Sequence, residues 1–136
     1  MDNRSHREGE SVNSTDFRKE LMKIMPGYEW TVHRQKKMLA DITGTSFVEA
    51  TGRQSSGFNR LSTLHVARRE KDGVVKYEVK SAGNGAWAYW EHTNTDGTLP
   101  RALRGLQDHY ERRASHFQSL AARLESGRKP PEGDPA

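Results

Sequence analysis

Residues 99–124, LPRALRGLQDHYERRASHFQSLAARL, decide the architecture. Apolar side chains recur at Leu99, Leu103, Leu106, Tyr110, Ala114, Phe117, Ala121 and Leu124. Steps of three and four residues return to one face of an α-helix. Arg104, Asp108, Glu111, Arg112, Ser115, Gln118 and Ser119 fall elsewhere on the wheel. A helix with one apolar stripe needs a surface to lie on. The near-heptad spacing also permits pairing of two chains, but the upstream strands need a cover. The stripe is therefore expected to pack on those strands through Leu103, Leu106, Tyr110 and Phe117. Thr98 is placed to cap the helix, Pro100 is tolerated in its first turn, and Gly127 is placed to end it.

Upstream, Phe17, Leu21 and Ile24 share one face of a short helix that Ser14 or Thr15 can cap and Pro26-Gly27 stops. Tyr28 to His33 alternates large apolar with polar residues and reads as a strand. Ser46 to Thr51 is a weaker strand signal. Gly52 to Asn59, small and polar, reads as a loop, and Met38, Leu39 and Ile42 as a possible helical turn in the connection from Gln35 to Thr45. Arg60 to Glu70 is a longer strand with Leu64 and Val66 inward. Lys71-Asp72-Gly73 is a tight hairpin turn. Val74 to Ser81 is the clearest strand, with Val75, Tyr77 and Val79 on one face and Val74, Lys76, Glu78 and Lys80 on the other. Trp87 to Trp90 reads as a last edge strand or an irregular cover, and His92 to Gly97 as a polar turn. The fold class is α+β: a short N-terminal helix, an antiparallel meander of about four strands, and a long C-terminal helix packed on one sheet face.

The chain has 136 residues, of which 32% are hydrophobic and 29% charged. That length suits one domain, expected over residues 15–126, between disordered tails at 1–14 and 127–136. There is no cysteine, which removes disulfides, thiolate catalysis and the common structural zinc sites. The absence of an apolar run near the length of a bilayer span, together with a polar N-terminus, leads to the expectation of a cytoplasmic protein with no membrane partner. Asn13-Ser14-Thr15 matches a glycosylation sequon, expected to be fortuitous without a secretion signal.

Catalytic signals are weak. His6, His33, His65, His92, His109 and His116 lack metal-ligand spacing. Glu49, Glu78, Glu91 and Asp96 read as surface carboxylates scattered among basic residues. Ser55 and Ser56 lack a nucleophile-elbow pattern, and Gly83-Asn84-Gly85 lacks the rest of a dinucleotide fingerprint. The expectation is no enzyme, no catalytic residues, no metal and no cofactor.

The net charge is +4, which permits a nucleic-acid or acidic protein partner without demanding either. Arg34, Lys36 and Lys37 cluster after the first strand. Arg53 and Arg60 bracket the Gln54–Asn59 segment, Arg68 and Arg69 sit near the hairpin with Lys71, and Lys76 and Lys80 share the polar face of the clearest strand. Brought together, these would attract phosphates; dispersed, they solubilise the sheet and protect its edges. Trp87, Tyr89 and Trp90 are the densest aromatic group. They are expected to cap the core; exposed, they would stack on bases or anchor a protein interface.

Ser55 to Leu64, followed by the Lys71-Asp72-Gly73 turn and Ser81-Ala82-Gly83, resembles small uncharacterised proteins encoded by phages and prophages. The resemblance implies a binder of nucleic acid or of a host protein, and it carries no catalytic residues. The helix–sheet–helix order is also similar to double-stranded-RNA-binding domains. Those place a lysine-rich motif at a helix N-terminus, where this chain has Thr98-Leu99-Pro100-Arg101, so the chain is not assigned to them. The expected function is a small non-enzymatic binding module that contacts nucleic acid through a basic sheet and loop surface. The alternative is a protein–protein module that regulates or inhibits a host protein, with acidic surfaces the favoured partner class.

Overall fold

Asp72 and Gly73 both take positive φ, 53° and 78°, the pair of left-handed residues that a two-residue hairpin turn requires. Glycine adopts that geometry freely, and a short polar aspartate tolerates it. The computed structural model describes residues 12–33, 44–83 and 88–131. Within them a π-helical turn, Val12–Asp16, leads into helix α1, Phe17–Ile24. Five strands follow: β1, Glu29–His33; β2, Thr45–Ser56; β3, Asn59–Lys71; β4, Val74–Ala82; and β5, Trp90–Asp96. Helix α2 runs from Leu99 to Gly127. The strands form one sheet in the order β1-β2-β3-β4-β5, with every neighbouring pair antiparallel.

The fold is the expected α+β arrangement, with five strands where about four were read. Two segments differ. Residues 52–56, read as the start of a loop, continue β2, which pairs with β3 through a register shift at Gln54/Ser55. Backbone ladders do not need apolar side chains, so a small, polar strand end looks like a loop in sequence. Residues 92–96, read as a polar turn, belong to β5, which pairs with the outer edge of β4. Its alternation runs between threonine and polar residues, and the central one of its inward side chains, Asn94, meets helix backbone rather than apolar core. The connection at residues 34–43, including Arg34, Lys36 and Lys37, lies outside the described residues, as do Trp87, 1–11 and 132–136.

Register fixes which residues share a face. Val32, Ala50, Val66, Val79 and Asn94 are partners in sequence across all five strands. Trp30, Gly52 and Leu64 form the next row, and Val48, Arg68, Tyr77 and Asp96 the row on the other side. This is the covered face. Phe17 and Leu21 of α1 and Leu99, Ala102 and Leu106 of α2 are buried, together with Trp30, Val48, Ala50, Leu64, Val66, Tyr77 and Val79. The Trp30 indole N–H donates to the Met25 carbonyl at 3.1 Å, which ties the end of α1 to β1. Tyr28 and Ser62 join their hydroxyls at 2.8 Å. Half-buried Glu20 has its carboxyl pushed above the ordinary range by desolvation, partly offset by the Arg68 charge.

Helix α2 starts as expected. The Thr98 hydroxyl accepts from the Arg101 N–H at 3.4 Å, and the Thr98 carbonyl accepts from the Ala102 N–H at 3.0 Å. The expected reach of its packing is corrected. Leu99, Ala102 and Leu106 are buried and Leu103 and Tyr110 half-buried, but Phe117 is 52% exposed. Periodicity identifies the apolar face of a helix and not the length of it that a short sheet covers. The chain divides into two units between Leu106 and Gln107, at this same point of the helix.

Candidate nucleic-acid interface

The uncovered face is built by the alternate residues of the same strands. Thr31, Thr51, His65, Lys80 and Thr93 form one row. Glu29, Arg53, Thr63, Ala82 and Trp90 form the row on one side, and His33, Glu49, Ala67, Glu78 and Thr95 the row on the other. Phe47, Arg69 and Lys76 extend the surface toward the Asp72-Gly73 turn.

Trp90 sits at the edge of this face and is 41% exposed. The Lys80 ammonium lies 4.9 Å from its ring centroid, a cation–π distance, and the His65 ring lies 5.9 Å away, tilted by 59°. His65 Nε2 donates to the Glu49 carboxylate at 3.0 Å. That bond assigns its neutral tautomer, because an ionised carboxylate can only accept. His65 Nδ1 is buried with no hydrogen-bond partner among the described residues. Protonation would put a second N–H there, and the imidazole pKa is accordingly lowered. Burial is the largest cause, and the Lys80 and His33 charges add to it against the opposing pull of Glu49. His33 and Thr51 share a hydrogen bond of 2.9 Å.

The expected basic residues divide between surfaces. Arg53, Arg69, Lys76 and Lys80 share the uncovered face, and Arg69 and Lys76 are direct cross-strand partners. The Arg69 guanidinium lies 5.3 Å from the Phe47 ring centroid. Arg60 stands past the register shift, next to the hairpin tip where Phe58 is fully exposed. Arg68 points to the covered face. Its Nε donates to the Tyr77 hydroxyl at 3.2 Å and its Nη2 pairs with Glu70 at 3.3 Å. Residues 68 and 69 are neighbours in sequence, so strand alternation sends them to opposite faces.

The aromatic group is also divided. Trp87 lies outside the described residues, Tyr89 is 78% exposed, and Trp90 faces away from the helices. Neither described member caps the core, because that face is already filled by Trp30, Tyr77 and the helical residues. Glu49 and His65, read singly as ordinary surface groups, instead form a pair beside the Lys80–Trp90 contact. Their signal was strand parity: once β2 and β3 are in register, odd-numbered residues of both lie on the uncovered face. Glu29, Glu49 and Glu78 interrupt the basic residues, so this surface is mixed in charge rather than uniformly positive.

Among the described residues, no three His, Asp or Glu side chains converge as a metal site, and no helix is long and apolar enough to cross a membrane. No family model matches the chain, and neither a curated protein nor a solved structure gives a significant match.

Proposed function

We propose that this protein is a non-enzymatic binding module that takes a nucleic-acid strand across its uncovered sheet face. The observation that carries the reading is the half-exposed Trp90 ring with Lys80 held over it, 4.9 Å away. An indole offers a stacking surface to any base, and an adjacent ammonium neutralises the phosphate that follows it. Arg53, in the same row as Trp90, and Arg69 with Lys76 farther along supply further phosphate contacts. A single strand suits this surface better than a duplex, because its bases can turn out onto the aromatic ring. Among the described residues no helix presents a row of base-reading side chains, so sequence preference is weak and phosphate contact dominates.

The test is a fluorescence-anisotropy titration of single-stranded and duplex oligonucleotides at about 50 mM and about 200 mM salt, the range over which phosphate-driven binding falls steeply. Binding is expected at low salt, with the single strand preferred. Trp90→Ala weakens it by about 1–3 kcal/mol, the usual worth of one base–aromatic stack. Lys80→Glu weakens it for every sequence alike. Absence of binding by the unaltered protein to either form at low salt overturns the reading. The exposed Tyr89 beside Trp90 and the interleaved carboxylates then favour the second reading, a protein–protein module.

A further inference from the structure

Past Leu106, α2 continues to Gly127, and every side chain from Glu111 onward is exposed. Phe117, Leu120 and Leu124 are 52%, 47% and 70% exposed. These residues are not scattered. Leu103, Tyr110, Phe117 and Leu124 recur at a strict interval of seven, and Leu99, Leu106, Arg113 and Leu120 recur at the same interval three residues later. Those are the two core positions of a coiled-coil heptad. The sheet consumes Leu99 and Leu106. Arg113, Phe117, Leu120 and Leu124 are left as an exposed seam, with half-buried Tyr110 at its start.

We infer that this seam pairs with the same segment of a second copy of the chain, in antiparallel orientation. Arg113 decides both occupant and direction. A parallel, in-register pair sets Arg113 against Arg113 in the centre of the seam, two guanidinium charges with no counter-ion. An antiparallel pair sets each core position against the other kind. Arg113 then meets the second copy's Phe117, Phe117 meets the second copy's Arg113, and Tyr110 meets Leu120 on both sides. This cation–aromatic match is already made within one chain, where the Arg113 guanidinium lies 4.8 Å from the Phe117 ring centroid. The flanks fit the same direction. Gln107, Ala114 and Ala121 line one side, with Ala114 facing Ala114 across the two-fold axis, and small side chains there let the helices approach closely. His109, His116 and Arg123 line the other, where no two formally charged residues of like sign meet while histidine is neutral. The seam is self-complementary, as a two-fold interface must be.

The experiment is sedimentation equilibrium of the full chain over a concentration series, with cysteine cross-linking to read direction. The chain has no native cysteine, so each introduced one is unique. The unaltered protein is expected to approach twice the monomer mass as concentration rises, and Phe117→Lys to remain monomeric with an unchanged far-ultraviolet spectrum. Ala114→Cys is expected to cross-link two copies under mild oxidant, and Leu120→Cys is not. A monomer throughout the series, or a dimer indifferent to Phe117→Lys, overturns the pairing. Cross-linking through Leu120→Cys in preference to Ala114→Cys overturns the direction. None of these readouts depends on the uncovered sheet face, so the nucleic-acid reading stands or falls separately.

Discussion

The side-chain amide of Asn94 occupies the space in which a Cβ on Gly105 would lie. From there its Nδ2 donates to the Ala102 carbonyl at 2.9 Å. One polar side chain of β5 therefore holds the second turn of α2, and a glycine in that turn admits it. Helix propensity alone favours alanine over glycine by about 1 kcal/mol. At this position the order is reversed. Gly105→Ala displaces the Asn94 amide and forfeits a part-buried hydrogen bond, whose loss costs about 1–3 kcal/mol. The expected net result is a loss of about 1 kcal/mol, read from urea unfolding. In an Asn94→Ala background the same change should stabilise, because only the propensity difference survives. Additive effects in this cycle would show that the two residues are not coupled.

A second close approach lies under Trp30. A Cβ on its cross-strand partner Gly52 would come within 2.8–2.9 Å of three atoms of the indole ring. The ring is 8% exposed and tied by its N–H to Met25, so it cannot move aside cheaply. Gly52→Ala is expected to cost about 1–3 kcal/mol, the usual penalty of overpacking a core. The tryptophan near-ultraviolet signal should change with it. A melting temperature equal to that of the parent would mean that the ring is free to shift.

The two ends of the α2 stripe should respond differently to truncation. Leu106→Ala is expected to cost about 2–5 kcal/mol, as for other buried leucines. Phe117→Ala, measured at concentrations low enough to keep the chain monomeric, is expected to cost less than about 0.5 kcal/mol, as for most surface positions. Equal losses would show that one surface covers the stripe along its whole length.

His65 gives the acid limb of stability a predictable sign. Its folded-state pKa is depressed below the ordinary value of 6.5, chiefly by burial. Near neutral pH the group is mostly unprotonated in both states. As pH falls through 6.5 the unfolded chain takes up the proton first, so stability falls until the folded pKa is also passed. His65→Gln should flatten this limb. Glu49→Gln should steepen it, because it removes the one neighbour that raises the His65 pKa. Thermal melts across the acid range measure both, and an acid limb unaltered in His65→Gln would sink the assignment.

The order of elements, the Asp72-Gly73 turn, the inward faces of β3 and β4 and both ends of α2 were legible from local pattern, because alternation, helical period and turn chemistry are set by neighbours in the chain. The polar strand end at residues 52–56 and the part of β5 at residues 92–96 were not, because strand pairing there is held by backbone bonds and the side chains carry no apolar alternation. At the candidate site, parity within β4 already put Lys76 and Lys80 together. Tertiary register was needed to bring His65 to Glu49, to set Lys80 against Trp90, and to send Arg68 toward Glu20 while Arg69 joined the open face. The same holds for α2. Its sequence carries an apolar stripe from Leu99 to Leu124, yet full burial stops at Leu106 and every residue from Glu111 to Gly127 is exposed, because the covered sheet face is already filled by α1 and the first two turns of α2. Local sequence determines which face of an element is apolar; how much of that face is covered depends on the area its neighbours present, a property of the assembled fold.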